Sequence, residues 1–309
     1  MHIETLKVFC DLAETGSFSL AASKNFITQS AVSQQIRSLE ERYSRELVER
    51  SKGHVRLTPA GEVLYHAGKE IVQKYREIED SLQTLSHSVA GTVRVATVYS
   101  VGLYELSSPL KRYLRTFPDV NIHLEYTRAN KIYEDVIRGD MDLGIVAYPS
   151  KRPQILLTPF REDRLVLVCA PQHPFAEFHR LSIKRLNGEK FVGFERDVPT
   201  RRALDRIFRR HGIKVQYVME VDNIETIKRV VEIGSGISIV PEPSVTQEVK
   251  AETLKAVQFT DEVLVRPLGI ISKRARRFTP AVQEFIDFLQ GRRPRGTAGE
   301  PDRTLQATA

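Results

Sequence analysis

Apolar positions in the first sixty residues recur at helical spacing. Leu6, Phe9, Leu12 and Ala13 line one face of a helix over 4–14, which stops at Gly16. Ser17 stands as the N-cap of a short second helix over 18–25, where Ala21 and Ala22 let another helix approach closely. A third helix follows, with Val32, Ile36 and Leu39 as its buried stripe and Ala31 beside it. Two short strands are expected around Lys52-Gly53-His54, after which Thr58 and Pro59 open a further helix. No proline interrupts residues 60–88, and Leu64, Ala67, Ile71, Tyr75, Ile78, Leu82 and Leu85 stand three or four apart. Such a seam predicts pairing with a second helix, because a lone helix would hold it in water. The alternative is packing against the rest of the same chain.

Beyond residue 90 the period changes. Strands are expected at 92–98, 120–126, 141–146, 165–169, 190–194, 215–221, 236–240 and 263–271. Helices are expected at 106–116, 131–137, 181–186, 201–210, 224–233 and 280–289. Strand and helix in alternation predict parallel sheets with helices on their faces. The last residues, rich in Arg, Pro, Gly and Thr, carry no such pattern and are expected to be disordered.

The outer face of the third helix is chemically unusual. Thr28, Gln29, Ser30, Ser33, Gln34 and Arg37 replace the glutamate–lysine mixture of a merely solvated face. Hydroxyls and amides can both donate and accept at base edges and phosphates, and arginine forks onto guanine or phosphate. Helix, turn and second helix with such a face is the geometry of a helix-turn-helix. Lys52, His54 and Arg56 would then lie along a DNA backbone as a basic wing. The plainer reading is a solvated face capped by Thr28 or Ser30.

Composition narrows the picture without deciding it. The net charge is +7, but residues 1–90 hold eleven basic against twelve acidic side chains. Bulk charge is therefore no evidence that this part binds nucleic acid; the motif must carry that reading. Cys10 and Cys169 are too few for a disulfide framework or a zinc site and are expected as buried packing. The N-terminus carries an acid early, at Glu4, so no export leader is expected, and no apolar run approaches a membrane span. Neither a Walker loop, a GxGxxG turn, a GxSxG elbow nor an HExxH pair occurs, and the eight histidines are scattered. No catalysis, cofactor, metal or membrane contact is expected of a chain placed in the cytoplasm.

Residues 1–88 resemble the DNA-binding domain and linker helix of LysR-type transcriptional regulators. The resemblance rests on Phe9, Ala13, Gly16-Ser17-Phe18, Ala21-Ala22, Gln29-Ser30-Ala31-Val32-Ser33-Gln34-Gln35-Ile36, Leu39-Glu40, Leu47, Arg50, Leu57-Thr58 and Ala60-Gly61. Four positions depart from it. Tyr43, Ser44 and Arg45 stand where the family usually has leucine, glycine and valine, and Val48 where it has phenylalanine. Ser44 thus occupies a helix end that commonly needs a positive φ.

The later strand–helix pattern, with crossovers near 161–165 and 262–266, is similar to the same family's two-lobed effector domain. The resemblance thereby implies an α+β multi-domain chain. It has a winged helix-turn-helix over 1–58, a linker helix over 59–90, an effector domain over 91–291 and a tail over 292–309. Lobe I would comprise 91–162 and 266–291, and lobe II 163–265. It also implies a dimer through the linker, a tetramer, double-stranded operator DNA, RNA polymerase as a partner if the protein activates, and a small effector between the lobes.

Such a ligand would sit at the carboxyl ends of strands, where helix N-termini offer free N–H groups. Ser100, Val101 and Gly102, then Thr127 and Asn130, then Thr200, Arg201 and Arg202, and finally Asn223 stand at those places. Hydroxyls at helix starts suit an anion, with Arg201 or Arg202 as countercharge; helix capping is the plainer role for each. Arg128 and Arg196 are expected on the surface. The Val198-Pro199-Thr200-Arg201 stretch is similar to relatives that govern sulfur or nitrogen assimilation and carbon fixation. The rival readings are an architectural DNA-binding protein without a ligand and, further off, a small-molecule binding protein or an enzyme.

Overall fold

The structure is a computed structural model that describes residues 2–51, 54–85 and 89–292. Its chain divides into two compact units, Met1–Ser86 and His87–Ala309.

The first unit contains α1 (Ile3–Thr15), α2 (Phe18–Lys24), α3 (Gln29–Tyr43), the antiparallel strands β1 (Val48–Ser51) and β2 (His54–Leu57), and α4 (Pro59–Leu85). Side-chain caps define the helix starts. The Ser17 hydroxyl accepts the Leu20 N–H, and the Thr28 hydroxyl accepts the Ala31 N–H. The apolar stripes of α1, α2 and α3 meet in one core through Phe9, Leu12, Ala21, Val32, Ile36 and Leu39. Val48 is buried in the same core. Each of these side chains larger than alanine contributes roughly 1.5–3 kcal/mol when taken out of water.

The α3 helix ends at Ser44 with φ +51°, and the Arg45 N–H closes the turn onto the Glu40 carbonyl. From the same residue, the Glu40 carboxylate accepts the Leu47 N–H at 2.9 Å and so starts the wing. Where α4 begins, Gly61 passes under the wing: a Cβ there would lie 2.0 Å from the Leu47 carbonyl oxygen, so no larger residue fits.

The second unit opens with β3 (Gly91–Thr97), α5 (Tyr99–Tyr104), α6 (Ser107–Thr116), β4 (Val120–Tyr126), α7 (Ala129–Arg138) and β5 (Leu143–Ala147). The long β6 (Ile155–Cys169), the short β7 (Arg180–Leu181), β8 (Lys190–Phe194), α8 (Pro199–His211), β9 (Gln216–Val221) and α9 (Ile224–Glu232) follow. The chain then forms β10 (Ser238–Pro241), α10 (Thr246–Lys250), β11 (Lys255–Phe259), β12 (Val265–Lys273) and α11 (Pro280–Leu289).

Two lobes share two strands. In lobe I, β3 pairs in parallel with β4 and β5, while β12 runs antiparallel to β5. Along β6, residues 155–164 pair with β12; from Leu165 the same strand pairs with β10, then with β11. Lobe II adds the parallel pair β8–β9, joined to β10 through the Phe191–Ile237 bridge. Helices cover both faces of each sheet. Leu165 and Leu167 enter one lobe II core while Val166 and Val168 enter the other, so the strands read as unbroken apolar runs.

Three expectations are corrected here. The strand expected at 165–169 begins ten residues earlier, at Ile155. Its first half looked irregular because Pro159 lacks an N–H and Arg161–Arg164 are all charged. In the sheet, Pro159 faces Gly269 at a break in register, and Asp163 lies directly opposite Arg266. The helix expected at 181–186 is β7 followed by one 3-10 turn, Ile183–Leu186, started by the Ser182 hydroxyl. Finally, α5, α10 and β11, which are only five or six residues long, were not foreseen. Of the expected tail, only Arg292 lies among the described residues.

Candidate functional site

The first candidate is the outer face of α3. Thr28, Gln29, Ser30, Gln34 and Arg37 are exposed and Ser33 is half-buried, while Val32, Ile36 and Leu39 hold the opposite face in the core. Capping does occupy Thr28, whose hydroxyl also lies 2.9 Å from that of Ser30. Gln29, Gln34 and Arg37 make no side-chain hydrogen bond to another described residue, which leaves amides and a guanidinium free for base edges. Arg56 on β2 is exposed; Lys52 and the His54 side chain lie outside the described residues.

The second candidate is a cleft of about 280 Å³ between the lobes. Ser100, Thr127 and Asn130 line it from lobe I, and Thr200 and Asn223 from lobe II. Three helices start at its wall without a side-chain cap: α5 after Val98, α7 after Arg128 and α8 after Val198. None has an acidic residue in its first turn. First-turn N–H groups left without a side-chain acceptor, at the positive ends of helices from both lobes, favour an anion.

The hydroxyl and amide residues divide by role. Asn223 is a cap: its side-chain oxygen accepts the Thr226 N–H at 2.9 Å. Ser100 caps nothing and instead accepts a hydrogen bond from Arg266 Nη1 at 2.8 Å. Thr200 is largely buried, but its hydroxyl, which bonds no other described residue, opens onto the cleft. A hydroxyl so placed can donate to or accept from whatever fills the cleft.

The expected countercharge is misplaced. Arg201 does not line the cleft; it is buried and donates to Asp205 at 2.9 Å, Glu220 at 2.7 Å and the Phe194 carbonyl at 2.7 Å. Its guanidinium also lies 3.8 Å over the Tyr217 ring. Burial opposes that charge, but the Glu220 and Asp205 hydrogen bonds outweigh it and raise the pKa. Arg202 donates to the Asp197 carbonyl and lies outside the cleft. Val101 and Gly102 are buried in α5 behind the wall, where a Cβ on Gly102 would meet Tyr126 at 2.3 Å.

Arg266, which sequence reasoning missed, is a buried cation in the cleft lining, paired with Asp163. It lines the cleft at 1% exposure, with Nε 3.0 Å from Asp163 and a second, shorter contact from Nη2. Its one signal was a charge inside the apolar strand that begins at Val265. Arg128, expected on the surface, is exposed but also lines the cleft, bonded to Glu195 and Asp197 at 2.9 Å each. Those carboxylates, Asp197 foremost, raise its pKa. The contact ties the start of α7 in lobe I to the loop before α8 in lobe II. Arg196 is exposed and not in the cleft.

Comparison with known proteins gives two family matches. The model of the bacterial regulatory helix-turn-helix protein, lysR family, matches residues 3–62, and that of the LysR substrate binding domain matches residues 86–294. The chain belongs to the LysR family. It is a transcriptional regulator that joins a helix-turn-helix DNA-binding domain to an effector-binding domain. Among relatives of this LysR regulator, the HTH-type transcriptional regulator CysL of Bacillus subtilis is 26% identical over 290 residues. That match covers 94% of this chain and 97% of CysL. Full-length CbnR complexed with its target DNA shares the fold at TM-score 0.68 and 19% identity, covering 94% of this chain and 99% of CbnR. The Synechocystis PCC6803 CcmR regulatory domain in complex with 2-PG has TM-score 0.60 at 24% identity, covering 65% of this chain and 96% of that domain.

Other chemistry is not in evidence. Among the described residues no helix is long and apolar enough to cross a membrane. Nor does any group of three or more His, Cys, Asp or Glu among them form a metal set. Cys10 and Cys169 are buried, and burial pushes their thiols up to about 12 and about 11, far from an activated thiolate.

Proposed function

We propose that this regulator acts in the cytoplasm, gripping a dyad-related operator with paired heads and sensing a small anionic metabolite in the interlobe cleft. Thr28, Gln29, Ser30, Ser33, Gln34 and Arg37 read or grip the major groove, with Lys52, His54 and Arg56 on the backbone. Ser100, Thr127, Thr200 and Asn130 take the metabolite together with the free helix N-termini, and Arg266 supplies countercharge from the floor. No residue pair in the cleft is assigned a catalytic role. The α4 stripe joins two heads, dimers assemble as tetramers, and RNA polymerase is a further partner if the protein activates.

The observation that carries the ligand reading is the cleft wall itself, where three uncapped helices begin and the Thr200 hydroxyl, without a partner among the described residues, opens onto the cleft. The similar CcmR regulatory domain is in complex with 2-PG, which supports a small-molecule effector for this domain. The effector must bind one lobe arrangement better than the other to change how the heads engage DNA.

The test begins with DNA from upstream of the protein's own gene, by fluorescence anisotropy at two salt concentrations with scrambled competitor. Competitor-resistant binding is expected, and Arg37→Ala should weaken it about tenfold while leaving the oligomer intact. Binding equal to that of scrambled DNA would count against an operator there. A metabolite screen that never shifts the melting temperature would favour an architectural, ligand-independent role.

A further inference from the structure

A second concavity, about 490 Å³, adjoins the cleft mouth and runs outward between α7 and α8. Its chemistry differs from that of the cleft. Arg202, Arg206 and Arg209 stand four and three residues apart on α8 and so share one helical face turned to this groove. Arg152 faces them from lobe I, its guanidinium 4.0 Å over the ring of Tyr133.

None of these four arginines forms a salt bridge with a described carboxylate. Arg202 donates to a main-chain carbonyl, which leaves its charge uncompensated. Asp205 is the acidic residue in the lining, but its carboxylate is committed to Arg201 and to the Tyr217 hydroxyl. Arginines elsewhere in this unit divide: Arg128, Arg138, Arg161 and Arg276 pair with described carboxylates, while Arg112, Arg115 and Arg185 do not. What sets the groove apart is four unpaired guanidinium groups lining one concavity. Four uncompensated guanidinium groups converging on one concavity repel each other unless an anion joins them. Guanidinium forks match phosphate oxygens geometrically, and the groove volume is that of a small-molecule site.

We infer that this groove, which shares Ala129, Asn130, Ala147 and Pro199 with the cleft lining but adds the four arginines, is a second anion site that binds a small molecule carrying two phosphoryl groups. Such a ligand bridges Arg152 of lobe I to the α8 arginines of lobe II. It therefore holds the lobes together at the mouth of the cleft, through arginines that do not line the cleft itself. A concave groove of this size selects a small molecule over a nucleic-acid backbone, which is convex and far longer.

The test titrates the full-length protein with inorganic pyrophosphate at fixed ionic strength, by calorimetry, with inorganic phosphate as the single-group control. Pyrophosphate should bind about tenfold tighter than phosphate, since two groups engage arginines on both sides. The double variant Arg206→Ala/Arg209→Ala should lose at least about tenfold in affinity, and Arg152→Ala should remove the preference for pyrophosphate over phosphate. Thr200→Val, which alters the cleft alone, should leave pyrophosphate affinity within about twofold. The arginines are half-buried or exposed, and an unchanged melting temperature verifies that the variants fold. Equal affinity in the double variant, or loss in Thr200→Val instead, would overturn the second site. Neither result bears on operator binding.

Discussion

Ser44 holds a left-handed φ that glycine adopts without penalty, so the α3 C-terminus carries local strain of about 1 kcal/mol. Ser44→Gly should therefore stabilise the head by about that amount, read as a rise in the urea midpoint at constant slope. Arg266 shows the opposite kind of dependence. It and Asp163 are both almost wholly buried, so removing the cation alone leaves a carboxylate without compensation. Arg266→Ala should cost about 3–5 kcal/mol in urea unfolding, whereas Arg266→Met combined with Asp163→Leu should recover most of it. Full stability in the single variant would show the pair to be dispensable. Neither residue's role was legible locally. Arg266 reads as a flaw in a strand until Asp163, 103 residues away, is placed beside it.

Helices were the most readable elements, because a stripe of three or more buried residues at 3.6-residue spacing admits few alternatives. The α3 helix, with Val32, Ile36 and Leu39 inward and Thr28 at its start, is the plainest case. Strands that mix roles were harder. In β6, Pro159 and the charged run Arg161–Arg164, in which Asp163 is buried, separate the apolar start at Ile155–Leu157 from the apolar run that begins at Leu165, so the strand does not read as continuous. The cleft was legible as a place, since strand ends and helix starts locate it, but not as chemistry. Arg201 looked like its cation, and only the packing shows that Asp205 and Glu220 occupy it.

A cluster within the head ties its elements to pH. Lys69 on α4 and Lys24 on α2 both pair with Glu14 on α1. Burial acts to raise the Glu14 pKa, and the hydrogen bond and charge of Lys69, with those of Lys24, more than offset it, leaving the carboxyl below its ordinary value near 4.5. A depressed folded pKa contributes stability that is fully present above the unfolded value and lost as pH falls through the folded one. Protection of α1 amides, corrected for the intrinsic exchange rate at each pH, should thus fall below about pH 4.5. Glu14→Gln should cost about 1 kcal/mol at neutral pH and remove that part of the acid sensitivity. An unchanged pH profile in the variant would assign the loss to other groups.

At the scale of the whole molecule, α4 leaves an apolar stripe in water. Ile71, Tyr75, Ile78 and Leu82 are 41–61% exposed, whereas Val72 and Gly68 face the α1 side of the same helix. The stripe needs a partner if it is not to remain wet. Ile78→Asp should yield a lighter species by light scattering together with weaker operator binding. Retention of the wild-type mass would place the partner of α4 elsewhere.

The Arg266 pair also constrains how this regulator could be given a new inducer. One guanidinium serves both as the floor of the cleft and as the clasp between the two crossing strands, since Asp163 and Ser100 share it. On the proposed binding mode, exchanging the rim at Thr127, Asn130 or Thr200 should alter selectivity while the crossing stays intact. Exchanging the floor rebuilds the joint. Libraries for altered response should therefore randomise the rim and leave Arg266, Asp163 and Ser100 untouched.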